Sequence, residues 1–289
     1  MNKRQVINFL PSLSLAAFGG FLLTGQSAIA QTVTEWDYAI DAFNDSVSGL
    51  QIGGGEYEFF GLALKEEENN IFIALNANMP ITGASAPLAE DEVISWGDLF
   101  FNFSGNDFST TSNQKSLYAI RFASSNNSKA QTLGVYSHVK ATSVTAINSG
   151  FSSLSDYNAT VQNALKTPSL ADLPADTAYF NQTDPVLNAI ANGKFVTDIQ
   201  FLDSTQLSQL GLNFNQFDAK GTETIGFSFD KKTLPTGEFI ANIFAECAND
   251  GMVLQGEVKP VPEPFSLAGS LVGLGLLGYR QWRQRKQRI

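Results

Sequence analysis

The 289 residues carry 28 acidic side chains against 18 basic ones, a net charge of −10 at neutral pH. All 28 acidic residues, but only 11 basic ones, lie between Glu35 and Glu263; that stretch therefore has a net charge of about −17, which works against nucleic acid or anionic lipid as a partner. One cysteine, Cys247, and one histidine, His138, exclude an intramolecular disulfide and a multi-histidine zinc site.

At the start of the chain Lys3 and Arg4 precede an apolar stretch from Val6 to about Thr24. Ala28-Ile29-Ala30 then has the small-x-small form of a signal-peptidase site. Residues 1–30 read as a signal peptide, with the mature chain expected to begin at Gln31. An uncleaved N-terminal anchor is the alternative. Residues 31–260 are enough for a sizeable core and read as one extracytoplasmic, β-rich domain.

Within that domain short apolar runs alternate with polar turns, the pattern of strands. Strands are expected over Asn70–Ala77, Leu99–Phe103, Ser116–Ala123, Thr132–Val139, Phe195–Leu202, Thr224–Phe229 and Glu238–Glu246. The chain has 23 phenylalanines, well suited to filling a core between sheets. Turn residues separate the runs, as in Gly53-Gly54-Gly55, Ser104-Gly105-Asn106-Asp107, Ser124-Ser125-Asn126-Asn127 and Leu234-Pro235-Thr236-Gly237.

Three short helices are expected. Ser155–Leu165 places Tyr157, Val161 and Leu165 on one face. Asp184-Pro185 supplies an N-cap and a first-turn proline for a second helix ending at Gly193, and Ser204–Leu210 stops at Gly211. The fold class is mainly β: an antiparallel β-sandwich or jelly-roll-like body, with a few short helices in a mid-chain insert and a single hydrophobic helix at each terminus. A two-lobed arrangement split near residue 150 is the alternative.

Three oxygen-rich sets stand out. Asp37, Asp41 and Asp45 recur every four residues with Asn44 alongside; Asp98, Asn102, Asn106 and Asp107 form a second set; Asn249-Asp250-Gly251 is the third. Hard oxygen donors suit calcium, so calcium is the candidate cofactor, at Asp37, Asp41, Asp45, Asp98 and Asp107. None matches an EF-hand loop, and turns and caps use the same residues for conformational reasons.

Two acidic runs, Glu66-Glu67-Glu68 and Glu90-Asp91-Glu92, raise the question of a glycoside hydrolase. That chemistry needs two carboxylates about 5–10 Å apart across a cleft, whereas consecutive carboxylates mark solvated turns. Trp36 and Trp96 are the candidates for stacking against a sugar ring, with burial in the core as the commoner fate of such residues. A Cys247–His138 nucleophile and base has no local signature behind it, and no Gly-x-Ser-x-Gly elbow, Walker loop or His-Glu-x-x-His occurs. The expectation is a protein without catalysis.

The end of the chain is the most specific part. Val261-Pro262-Glu263-Pro264 leads into a 15-residue apolar run, Phe265–Tyr279, followed by Arg280, Arg283, Arg285, Lys286 and Arg288. As a helix the run spans roughly 22 Å at about 1.5 Å per residue. Extended through Gln281 and Trp282 it approaches the length needed for a bilayer core of about 30 Å. The cationic cluster favours the cytoplasmic side and so places the body on the other side. Gly269, Gly273, Gly275 and Gly278 would let another helix approach closely.

This three-part tail, residues 261–289, resembles the PEP-CTERM sorting signal of Gram-negative bacteria. The resemblance implies transient anchoring in the inner membrane through residues 265–282 and cleavage by an exosortase near Pro262, Glu263 and Pro264. It implies delivery to the cell surface, the outer membrane or an extracellular polysaccharide matrix. An ordinary single-pass anchor is the alternative. The stretches Trp36–Gly61, Ile71–Pro80, Trp96–Phe103 and Phe239–Gly251 resemble a group of cyanobacterial exosortase-dependent surface proteins, which brings no established activity. Expected partners are therefore signal peptidase, an exosortase and extracellular polysaccharide. The expected role is structural or adhesive, with a lectin-like or calcium-stabilised module as the alternative and an extracellular hydrolase behind both.

Overall fold

The computed structural model describes residues 35–260. The expectations for the signal peptide (Ala28, Ala30 and Gln31 among them), the sorting residues Pro262, Glu263 and Pro264, and the apolar helices at both ends lie outside the described residues. Among the described residues no helix is long and apolar enough to cross a membrane.

The strands in chain order are β1 (Asp37–Ile40), β2 (Val47–Ser48), β3 (Gln51–Ile52), β4 (Phe59–Glu66), β5 (Asn70–Ala77), β6 (Ala84–Ser85), β7 (Val93–Ile94), β8 (Leu99–Asn102) and β9 (Leu117–Arg121). Then follow β10 (Gly134–Thr142), β11 (Ser169–Leu170), β12 (Leu173–Pro174), β13 (Ala189–Thr197), β14 (Gln200–Leu202), β15 (Glu223–Asp230), β16 (Gly237–Phe244) and β17 (Gly251–Val258). Among the described residues three short α-helices, α1 (Phe108–Asn113), α2 (Leu154–Asn163) and α3 (Ser204–Gln209), sit in the connections.

Two antiparallel sheets dominate. One has the order β1-β4-β5-β15-β14, the other β13-β10-β9-β8-β16-β17. Side chains on successive residues of a strand point to opposite faces, and β5 shows how this builds the layers. Ile71, Ile73, Leu75 and Ala77 enter the core shared by the two sheets, while Phe72 and Ala74 face outward into a second cluster with Trp36, Leu207 and Phe214. The same core takes Leu62 and Leu64 of β4, Phe227 and Phe229 of β15, Leu99 and Phe101 of β8, Ile120 of β9, and Phe239, Ala241 and Ile243 of β16. On the far face of the six-stranded sheet Phe100, Leu117, Tyr136 and Phe244 meet Phe108, Leu154, Phe180 and Val186 from the connections. Both sheets are therefore apolar on both faces, because α3 and its neighbours cover one and α1, α2 and the 170–186 loops cover the other. The result is a sandwich with a covering layer on each side.

The expected mainly β, antiparallel fold with a few short helices is what forms, with four corrections. The helices do not share a mid-chain insert: α1 lies between β8 and β9, α2 between β10 and β11, and α3 between β14 and β15. The two-lobed alternative fails because each sheet mixes both halves of the chain, β15 pairing with β5 and β16 with β8. The expected strand Phe195–Leu202 is the end of β13 and all of β14, which belong to different sheets. No helix forms after Asp184-Pro185; Ala189 begins a strand instead. There tertiary contacts outweigh the local start signal. Asn188 donates to the carbonyls of Ala245 and Glu246 at 3.0 and 2.8 Å, and the Ile190 amide donates to the Asp98 carboxylate at 2.6 Å.

Trp96 holds the two sheets together near one end. Its ring is fully buried, stacked on Phe59 with centroids 4.4 Å apart, and its indole N–H donates to Pro80 O at 3.1 Å. Gly97 next to it carries no Cβ because one would run into the carbonyl oxygens of Asn188 and Phe244. Phe101→Ala, in the centre of the shared core, is expected to lower the urea unfolding free energy by about 3–5 kcal/mol. Leu88→Ala, at a side chain 83% exposed, is expected to change it by no more than about 0.5 kcal/mol. Equal effects at the two positions would contradict this placement of the core.

Candidate metal centre

β1 ends at Ile40, and the chain turns at once through Asp41 to Asp45 before β2. The β16–β17 connection brings Asp250 against it. One carboxylate oxygen each from Asp41, Asp45 and Asp250 lies within 4.8 Å of the others, and all three residues are buried. Two of the three sequence sets, the 37–45 series and Asn249-Asp250-Gly251, thus meet in space. Backbone pairing clasps them together: Val47 N donates to Asn249 O at 3.0 Å, and the Asn249 side-chain amide returns a bond to Val47 O at 2.6 Å.

The hydrogen bonds around the triad are specific. Asp250 accepts from Phe59 N at 2.7 Å and from Gly251 N at 2.8 Å. Asp45 Oδ2 accepts from Ser169 N at 2.6 Å, and Asp41 Oδ1 from Ala171 N at 3.1 Å. Tyr157 Oη donates to the Asp45 carbonyl at 3.2 Å. Beside them the buried Glu58 carboxylate accepts from Asp45 N at 3.3 Å, Ser46 Oγ at 2.8 Å and Gly54 N. Two buried oxygens, Asp41 Oδ2 and Asp45 Oδ1, have no partner. None of the three ion pairs among the described residues involves the triad; they join Lys65 to Glu67, Lys220 to Asp218 and Lys231 to Glu66.

Electrostatics makes this arrangement costly as it stands. Burial, and then the neighbouring Asp45, push the Asp41 carboxyl well above the ordinary carboxylate range. Asp45 rises to about 7, again through burial first, opposed by the Ser169 amide and aided by Glu58. Asp250 is raised well above its usual value by burial and by Asp41, Asp45 and Glu58. Like charges out of water cannot all be ionised unless a cation stands among them. An all-oxygen donor set of carboxylates suits a hard divalent cation rather than a thiolate- or imidazole-seeking one. The triad is thus able to hold a metal ion, and its two orphaned oxygens fit that role.

The other sequence candidates fall elsewhere. Asp37 stands on β1, exposed and outside the triad, with its carboxyl raised by burial and lowered by Lys259. Asp107 is the N-cap of α1, exposed, accepting from Thr110 N at 2.8 Å; those bonds lower its pKa. Asp98 is separate from it, buried at the other side of β8. It accepts from Asn126 Nδ2 at 3.0 Å as well as from Ile190, and burial raises it to about 6. Asn102 bonds Asn106 O and Tyr179 Oη rather than sharing a cation with Asp98.

Trp36 is buried with its indole N–H on Leu210 O at 3.0 Å, and Trp96 has both neighbours Phe59 and Phe122 around it, so neither indole lies open for a sugar. Glu66 is tied to Lys231 at 2.5 Å and Glu67 to Lys65 at 3.3 Å. Asp91 caps its own turn at Val93 N and accepts from Asn127 Nδ2. Cys247 is fully buried, its thiol pushed up to about 12 by burial, while His138 is exposed on β10 beside Ser137 Oγ.

The reading from sequence missed Asp250 as the third member, along with Glu58 behind it. The Asn-Asp-Gly signal was visible, but its pairing with a segment some 200 residues earlier follows only from the β16–β17 turn docking on the β1–β2 loop. No family model, no curated protein and no solved structure matches the chain.

Another buried carboxylate, Glu246, is fully engaged, accepting from Ser95 N at 3.0 Å and from Asn127 N. Burial raises it to about 7. For Asp98 and Glu246 the folded-state pKa stands above the unfolded one, so between the two the folded chain holds more protons. Their contribution is full at acid pH and is lost as the pH rises through about 6 to 7. In chelator, the urea unfolding free energy is expected to fall from about pH 5 to about pH 8. Glu246→Gln removes one titrating group and should flatten that slope by up to about 1.4 kcal/mol per pH unit. A slope that Glu246→Gln leaves unaltered would remove this residue from the titration.

Proposed function

We propose that the chain is an exported, non-catalytic surface or matrix protein whose sandwich is held closed by one calcium ion bound at Asp41, Asp45 and Asp250. The observation that carries the calcium part is the pair of buried, unpartnered carboxylate oxygens, Asp41 Oδ2 and Asp45 Oδ1, in a cluster without a cationic side chain. Calcium accepts oxygen ligands in flexible geometry, as a loop and a turn present them, whereas magnesium demands a regular octahedron. The ion would neutralise the triad and cross-link the β1–β2 loop to the β16–β17 turn.

The export part rests on the two terminal signals. Lys3-Arg4, the apolar stretch and Ala28-Ile29-Ala30 support removal of residues 1–30 by signal peptidase. Pro262-Glu263-Pro264 with its apolar and cationic followers supports handling by an exosortase. A body of net charge about −17 stays soluble outside a membrane and avoids anionic lipid. With Trp36 and Trp96 buried, a scaffold or matrix role is favoured over a glycan-stacking one.

Calcium at about a hundred times its dissociation constant contributes about 2.7 kcal/mol, a rise of roughly 5–10 °C in Tm for a body of this size. Differential scanning calorimetry is expected to show that rise, its reversal by chelator, and its loss in Asp250→Asn. A Tm indifferent to calcium in the wild-type chain would remove the calcium reading. Mass spectrometry of the native protein is expected to find a chain beginning at Gln31 and trimmed near Pro262-Glu263-Pro264. An intact chain recovered from the cytosol would remove the export reading.

A further inference from the structure

The acidic triad does more than face itself. Two of its carboxylates reach out to a small hairpin, β11–β12, whose pairing is Ser169 with Pro174 and Leu170 with Leu173. Two amides of that segment point at the cluster: Ser169 N to Asp45 Oδ2 at 2.6 Å, and Ala171 N to Asp41 Oδ1 at 3.1 Å, the latter shared with Ser169 Oγ at 3.0 Å. The hairpin turn then lies along β17, the outermost strand of the six-stranded sheet. Ala171 bridges Val253 in parallel, Asp172 N donates to Val253 O at 3.2 Å, and Gln255 N donates to Asp172 Oδ2 at 2.9 Å. The hairpin thus covers part of an edge whose backbone groups would otherwise be open to another strand.

Its own backbone is not relaxed. Ala171 at its turn sits at positive φ, 57°. Side-chain-bearing residues avoid that region unless the surroundings hold them there. The holding contacts include the carboxylates that the cation would organise. A bound cation fixes Asp41 and Asp45 as charged acceptors facing Ser169 and Ala171. Without it, the crowded carboxylates push one another apart and both acceptors shift together, because they belong to one cluster.

We propose that the cation at Asp41, Asp45 and Asp250 works as a latch: it pins the β11–β12 hairpin over the β17 edge, and its removal frees that hairpin while the sandwich stays folded. This inference rests on the calcium reading of the site and adds what the site controls. Asp250 is the informative residue, because its own bonds go to Phe59 and Gly251 and not to the hairpin. Changing it disturbs the cation without removing a hairpin contact.

Hydrogen exchange on the full chain tests the latch, read by mass spectrometry over residues 166–174 against the β5–β15 pair. With calcium the 166–174 amides are expected to be protected. Chelator should speed their exchange tenfold or more, leaving β5 and β15 protected, and Asp250→Asn should show the fast rate with or without calcium. Three results overturn the latch: exchange over 166–174 that ignores calcium although calcium still raises Tm, exchange that speeds equally across the whole chain, or an Asp250→Asn chain that keeps calcium-dependent protection of 166–174. Should that variant fail to fold, the wild-type comparison with and without chelator decides alone. A Tm and an exchange pattern both indifferent to calcium would instead remove the calcium reading itself, and the latch with it.

Discussion

Three buried carboxylates share one space without a positive side chain among the described residues to balance them. Few arrangements are as unfavourable in isolation, since each charge loses water and gains a like neighbour. The chain nevertheless builds the cluster from two distant segments and surrounds it with backbone amides from a third and a fourth. The β1–β2 loop, the β16–β17 turn, the start of β4 at Phe59 and the β11–β12 hairpin all meet there. Where the sheets themselves are joined by apolar packing, these connections are joined by oxygen and N–H.

The division of labour follows from composition. With no disulfide available, cohesion has to come from the core. Apolar alternation on both faces of β4, β5, β8 and β9 allows a layered body: cover, sheet, shared core, sheet, cover. Apart from the buried Glu66–Lys231 pair, the acidic side chains lie at the surface or in two interior knots. One, around Asp98 and Glu246, has its carboxylate oxygens hydrogen-bonded to Asn126, Ile190, Ser95 and Asn127. The other is the triad, which leaves two oxygens over. That contrast separates a polar network that only positions loops from one suited to a guest.

Much of the strand pattern could be read in the residues because burial on a sheet imposes period two. Asn70–Ala77 is read to the residue, and Thr224–Phe229 and Glu238–Glu246 to within two. Ser155 and Ser204 lie within a residue of real helix starts because N-capping is local, with Ser153 and Asp203 as the caps. Asp184-Pro185 carried an equally good local signal and failed, since Asn188 and Ile190 bond to residues from remote parts of the chain. β4 and β17 went unread although Leu62-Ala63-Leu64 and Met252-Val253-Leu254 are plainly apolar; their glycines, Gly61 and Gly256, resemble turn punctuation but sit inside strands. For the site, the oxygen-rich residue types were legible and their grouping was not. Asp37 has the same spacing as Asp41 and Asp45, yet lies on a strand that carries it away from them.

Cys247, itself fully buried, sits two residues from the Asn249 clasp in the turn between β16 and β17, with its sulfur kept protonated by its surroundings. A lone thiol so placed cannot scramble with a neighbour while the fold is intact. It becomes reactive only in molecules that have come apart. The rate at which a small alkylating reagent marks that sulfur would therefore report how often this end of the sandwich opens, using a probe the chain already contains.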